Sequence, residues 1–139
     1  MENIDLDRTI DSKKIYQGSI INVKIDNVLL KTGVKASREV VEHRPAVAIV
    51  PVDSENNVLL VRQYRHPAKS ELLEVPAGII EIGEEPEIAA IRELREEVGY
   101  TSRDLRLLFG FWTSPGFTDE YIYGYLAKDL VEGKLPQDF

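Results

Sequence analysis

Glu93, Glu96 and Glu97 stand three and four residues apart or side by side, so residues placed at 100° intervals put their carboxylates in one sector of a helix. Like charges at these spacings destabilise a helix by about 0.2–0.5 kcal/mol per pair. Arg92 and Arg95 lie among them and offset part of that repulsion, so a solvated acidic face with intrahelical ion pairs is one reading of the segment. The other is a cluster of hard oxygen donors of the kind that suits Mg²⁺ or Mn²⁺. Imidazole and thiolate chemistry have little to work with. The two histidines, His43 and His66, read as strand-end surface or turn residues, and there is no cysteine. That excludes a disulfide framework, a thiolate nucleophile and a Cys-based zinc site.

The carboxylates need an element to carry them. From Glu85 to Val98 the apolar period is 3.6, with Pro86 in the first turn, where its missing N–H costs nothing, and Gly99 just past the end. Ile88, Ile91, Leu94 and Val98 form the apolar side, and the three glutamates are expected opposite them, facing outward from a sheet. Strands surround the helix in the sequence. Residues 13–31 and 35–44 alternate apolar and polar as an antiparallel β-meander does. Residues 46–53 (AVAIVPVD) are almost continuously apolar, as expected of a strand at the sheet centre. The turn at Ser54–Asn57 predicts a hairpin between that strand and 58–66, followed by a short strand at 71–75 that ends at Pro76, Ala77 and Gly78. Residues 105–112 and 121–130 are further strands, joined by the turn-forming TSPGFTDE. The mixture predicts an α+β domain with a mixed sheet, divided into residues 1–44 and 45–139.

At 139 residues the chain has room for one core of ordinary size. A formal charge of −7 disfavours nucleic acid and anionic lipid as partners. No apolar run approaches the ~20 residues needed to span a bilayer, and the polar, acidic start is unlike a signal peptide. A soluble cytoplasmic protein is the expectation.

Gly78, Glu84, Arg92, Glu93, Leu94, Glu96, Glu97 and Gly99 satisfy the pattern G-x5-E-x7-R-E-U-x-E-E-x-G-U, where U is apolar. On these residues the chain resembles the Nudix hydrolases. Tyr100 at the last U position is aromatic rather than aliphatic, a departure expected to affect packing only. The resemblance implies the Nudix fold and hydrolysis of a nucleoside diphosphate linked to another moiety. It also implies metal ligation by Glu93, Glu96, Glu97 and the Ala77 carbonyl, and a supporting pair in Glu84 and Arg92. Gly78 and Gly99 would permit backbone turns that a Cβ hinders.

Pro115, sixteen residues after Gly99 in the SPG-x-x-x-E-like run, resembles the ADP-ribose pyrophosphatase subgroup. So do REVVEH (38–43), VRQYRHP (61–67) and EVPAG (74–78). The likeness implies ADP-ribose as substrate, AMP and ribose 5-phosphate as products, and a homodimer that exchanges its N-terminal strands. It further implies Arg38 and Arg65 as phosphate or ribose contacts, Tyr16 stacking on adenine, Pro115 and Gly116 at the substrate, and Glu120 orienting a ribose or a catalytic water. Members of the subgroup usually continue with a further strand and helix and often take their general base from the intervening loop. Here the chain stops at Phe139, and VEGKLPQDF offers only Glu132 and Asp138, so the expectation is a missing C-terminal strand and helix, or else Glu93 or Glu96 as the base. Two other readings stay open: a hydrolase of another nucleotide sugar such as GDP-mannose, and a non-catalytic module that senses ADP-ribose.

Overall fold

The computed structural model describes residues 7–133. Asp138 therefore lies outside the described residues. The chain divides into two compact units, Met1–Arg44 with Trp112–Glu120, and Pro45–Phe111 with Tyr121–Phe139. The segment Trp112–Glu120 belongs with the N-terminal strands.

In the first unit, β1 (Arg8–Gln17), β2 (Ile21–Leu29) and β3 (Lys35–His43) form an antiparallel sheet in the order β1-β2-β3. The meander read from alternation is present, and its first strand begins at Arg8, earlier than the pattern suggested. Between β2 and β3 the chain reverses through Gly33, whose φ of 81° is open to a residue without a Cβ. The late segment docks on β3: the Val41 N–H donates to the Phe117 carbonyl at 2.7 Å, and the Asp119 N–H to the Val41 carbonyl at 3.2 Å.

In the second unit, β4 (Ala46–Pro51), β7 (Ala77–Ile79), β8 (Tyr100–Trp112) and β9 (Tyr121–Glu132) make a sheet in the order β7-β4-β9-β8. β4 runs antiparallel to β7 and parallel to β9, so the sheet is mixed. As expected of its apolar run, β4 is interior, with Val47 and Ile49 fully buried. The helix α1 (Pro86–Val98) packs on β4 and β7. Its first turn starts at Pro86, and Gly99 closes it at φ 75°, donating its N–H to the Arg95 carbonyl. Ala89, Ala90 and Leu94 join Val47, Ile49, Ile80, Tyr125 and Ala127 in the core, and Tyr100 packs against it from the side. Among the described residues no helix is long and apolar enough to cross a membrane.

Two expectations are corrected. Residues 58–66 do not form a ladder with β4. A single bridge joins Val52 to Val58, and β5 (Val61–Arg65) pairs with β6 (Ser70–Glu74) in a separate two-stranded sheet. The place beside β4 is taken by Ala77–Ile79, which the sequence reading treated as a strand end. The helix is also rotated from its expected setting. Glu93 is 9% exposed and lies on the packed side, whereas Ile88 is 56% exposed. Two alanines at 89 and 90 let the helix approach the sheet closely, and that roll carries Glu93 inward beside Leu94 and leaves Ile88 outside.

Leu94 is fully buried between α1 and the sheet. Leu94→Ala is expected to cost about 2–5 kcal/mol in denaturant unfolding, because the vacated volume cannot be refilled by its alanine neighbours.

Candidate functional site

A buried carboxylate needs a partner, and Glu93 has one next to it in the chain. The Arg92 Nη1 donates to Glu93 Oε1 at 2.5 Å and to Glu96 Oε2 at 3.3 Å. The same guanidinium grips Glu84 through Nε and Nη2, both at 2.9 Å, and Nη2 also donates to the Ile79 carbonyl at 3.1 Å. Glu84 in turn accepts the Glu81 N–H at 2.9 Å. One arginine thus ties together the loop before the helix, strand β7 and two of the three helix carboxylates. The Glu84–Arg92 pairing implied by the resemblance is present as a bidentate ion pair.

β7 receives the carboxylates. A Cβ on Gly78 would collide with the Glu93 carboxylate, so the absence of a side chain there is what makes room for it. The neighbouring Ala77 donates its N–H to Glu97 Oε2 at 3.0 Å. Glu93 and Glu97, one helical turn apart, therefore reach adjacent residues of one strand. Desolvation pushes the Glu97 carboxyl above the usual carboxylate range, and the charge of Glu93 pushes the same way against the Ala77 hydrogen bond. Glu96 points more outward, its side chain 49% exposed. Among the described residues no trio of acidic or imidazole side chains is already drawn close enough to hold an ion. Glu93 and Glu96 are turned toward Arg92, and Glu97 toward the Ala77 amide.

The expected substrate contacts fall into separate places. Arg38, Pro115 and Gly116 line one cleft of about 460 Å³ within the first unit. Its wall includes Trp112 and Phe117, both more than half exposed, which the sequence reading passed over. An aromatic just before the turn-forming run and another inside it were the available signal. Tyr16 does not line this cleft; its ring lies over Gly18 at the β1–β2 turn. Glu120 is committed within the loop, accepting from the Thr113 hydroxyl at 2.7 Å, with His43 Nδ1 at 3.5 Å. His43 is accordingly a structural residue of the loop anchor, and its N–H donates to Asp119 at 2.8 Å. Arg65 is in the second unit, paired through two nitrogens with Glu74 on the β5–β6 hairpin.

Known proteins resemble this chain along most of its length. A family model described as the NUDIX domain matches residues 42–139. A protein of Bacillus subtilis (strain 168) named ADP-ribose pyrophosphatase is 42% identical over 124 residues, covering 89% of this chain and 67% of that protein. One of the same name from Mycobacterium tuberculosis is 43% identical over 130 residues, covering 93% of this chain and 63% of the other. A methanol dehydrogenase activator of Bacillus methanolicus is 42% identical over 89% of this chain and 67% of its own. The chain thus spans about two thirds of the length of these relatives. A crystal structure of an ADP compounds hydrolase superposes with a TM-score of 0.86 at 26% identity, over 100% of this chain and 76% of that one.

The Arg92 pairing holds the Glu84 carboxyl down at about 2, against an ordinary value of 4.5. A carboxyl depressed in the folded state stabilises the fold above its unfolded pKa, and that contribution disappears as pH falls from about 4.5 toward 2. Glu84→Gln is therefore expected to lower stability at pH 7 and to flatten the fall in melting temperature between pH 5 and pH 2, read by calorimetric melting across that range.

Proposed function

Because the chain belongs to the Nudix family, we propose that it hydrolyses the pyrophosphate of ADP-ribose to AMP and ribose 5-phosphate, using Mg²⁺ or Mn²⁺ on the carboxylates of α1. The observation that carries this reading is the arrival of Glu93 and Glu97 at adjacent residues of β7, one in the space over Gly78 and one on the Ala77 amide. Two like charges brought to neighbouring points at a packed surface, with oxygen the only donor type, fit a hard cation. Glu93 and Glu97, joined by Glu96 and the Ala77 carbonyl, would hold it. Such a cation, when bound, neutralises the diphosphate, lowers the pKa of an attacking water and stabilises charge on the leaving phosphate.

The chain's own residues supply the rest. Arg92 keeps Glu93 aimed, while Glu84 keeps Arg92 in place. Glu96, the most exposed of the three carboxylates and loosely tethered to Arg92, is the one able to accept a proton from water. Arg65 contacts phosphate oxygens. The cleft of Arg38, Pro115 and Gly116 takes a ribose or base against Trp112 and Phe117. Glu120 serves through the loop it pins to Thr113 and His43. On this reading the protein works in the cytoplasm, where a cysteine-free chain has no disulfide to form. It works as a homodimer exchanging N-terminal strands, which the exposed Ile10, Ile15 and Tyr16 of β1 support.

With Mg²⁺ and ADP-ribose, Glu97→Gln is expected to lower AMP release, followed by chromatography, about a hundredfold, with the far-UV circular dichroism unchanged. ADP-ribose bound by the wild type without turnover would favour the sensing reading instead. Turnover of GDP-mannose but not ADP-ribose would keep the chemistry and change the substrate.

A further inference from the structure

Arg65 and Glu74 are joined more closely than their position in the hairpin requires. In the β5–β6 ladder Arg65 stands opposite Ser70 near the turn, and Glu74 stands opposite Val61 at the open end. The pair therefore spans the hairpin lengthwise. Arg65 Nε lies 2.9 and 3.1 Å from the two Glu74 oxygens, and Nη2 lies 2.6 Å from Oε2. Holding so long a side chain in one extended rotamer costs conformational freedom. An ion pair with the arginine 44% exposed returns little against that cost. Stability alone does not account for the arrangement, whereas orientation does.

The clamp takes the side edge of the guanidinium, one N–H from Nε and one from Nη2. Three N–H donors are not used by that pair, and they form the end-on fork that matches two oxygens of a phosphate. β6 ends at Glu74, three residues before Ala77, whose N–H donates to Glu97 Oε2 at 3.0 Å, so the clamp lies on the stretch of chain that leads to the helix carboxylates. We propose that Glu74 is a positioning residue: its bidentate clamp fixes the Arg65 guanidinium and aims the free fork at a pyrophosphate bound on the helix carboxylates. This rests on the pyrophosphate hydrolysis proposed above.

The test uses Glu74→Gln, Arg65→Ala and the double variant. With ADP-ribose and Mg²⁺, Glu74→Gln is expected to raise KM about tenfold with kcat within twofold of wild type, and the double variant to be no worse than Arg65→Ala alone. Calorimetric titration of inorganic pyrophosphate in the presence of Mg²⁺ should show the same tenfold weakening and the same lack of additivity. An unchanged KM and Kd in Glu74→Gln, or losses that add in the double variant, would overturn the proposal while leaving hydrolysis intact. A wild type that does not turn over ADP-ribose would defeat the substrate reading alone, and the pyrophosphate titration would still decide the role of Glu74. Should Glu74→Gln fail to fold, Arg65→Lys removes the fork and leaves Glu74 in place. A Kd within twofold of wild type in that variant would equally refute the clamp.

Discussion

A single guanidinium holds the candidate site together. Arg92 contacts Glu84 in the loop before α1, the Ile79 carbonyl at the end of β7, and Glu93 and Glu96 on its own helix. A carboxylate as buried as Glu93 is tolerable only beside a fixed positive charge, since removing one partner of such a pair leaves the other uncompensated. The constraint runs outward from there. Gly78 must lack a Cβ because Glu93 occupies that space, and the loop to Glu84 must turn back to meet the arginine. Ala89 and Ala90 must be small so that the helix approaches closely enough for its carboxylates to reach β7.

The residues of the site were legible in the sequence, and their setting was only partly so. The spacing from Gly78 to Gly99 identified both the carboxylates and their supporting pair, because a local pattern on one helix and its preceding loop depends on few distant contacts. The rotation of the helix was not legible. Counting apolar residues assigned Ile88 to the core and Glu93 to the outside, yet the closeness permitted by two alanines and the gap over Gly78 decided otherwise. Apolar periodicity does not report a charge compensated by its neighbour in the chain.

Strand partners showed the same division. The meander and the interior position of β4 followed from alternation and from continuous apolarity, which are local properties. The pairing of Val61–Arg65 with Ser70–Glu74, in place of β4, depends on which strands meet after the turn at Asp53–Asn57. That turn is closed by Asp53 accepting from the Glu55 and Asn57 amides, and only one bridge forms across it before the strands part. A three-residue strand such as Ala77–Ile79 carries almost no strand signal of its own, so its place beside β4 was visible only in three dimensions.

The grouping of Trp112–Glu120 with the first forty-four residues sets an order of assembly. On a ribosome the strands of Arg8–His43 emerge early, but the segment that hydrogen-bonds Val41 and caps His43 is made only after α1 and β8. The meander must therefore wait, with the outer edge of β3 open, until most of the second unit has left the exit tunnel. For that interval its exposed backbone is available to other nascent chains, a hazard that unpaired strand edges carry during synthesis.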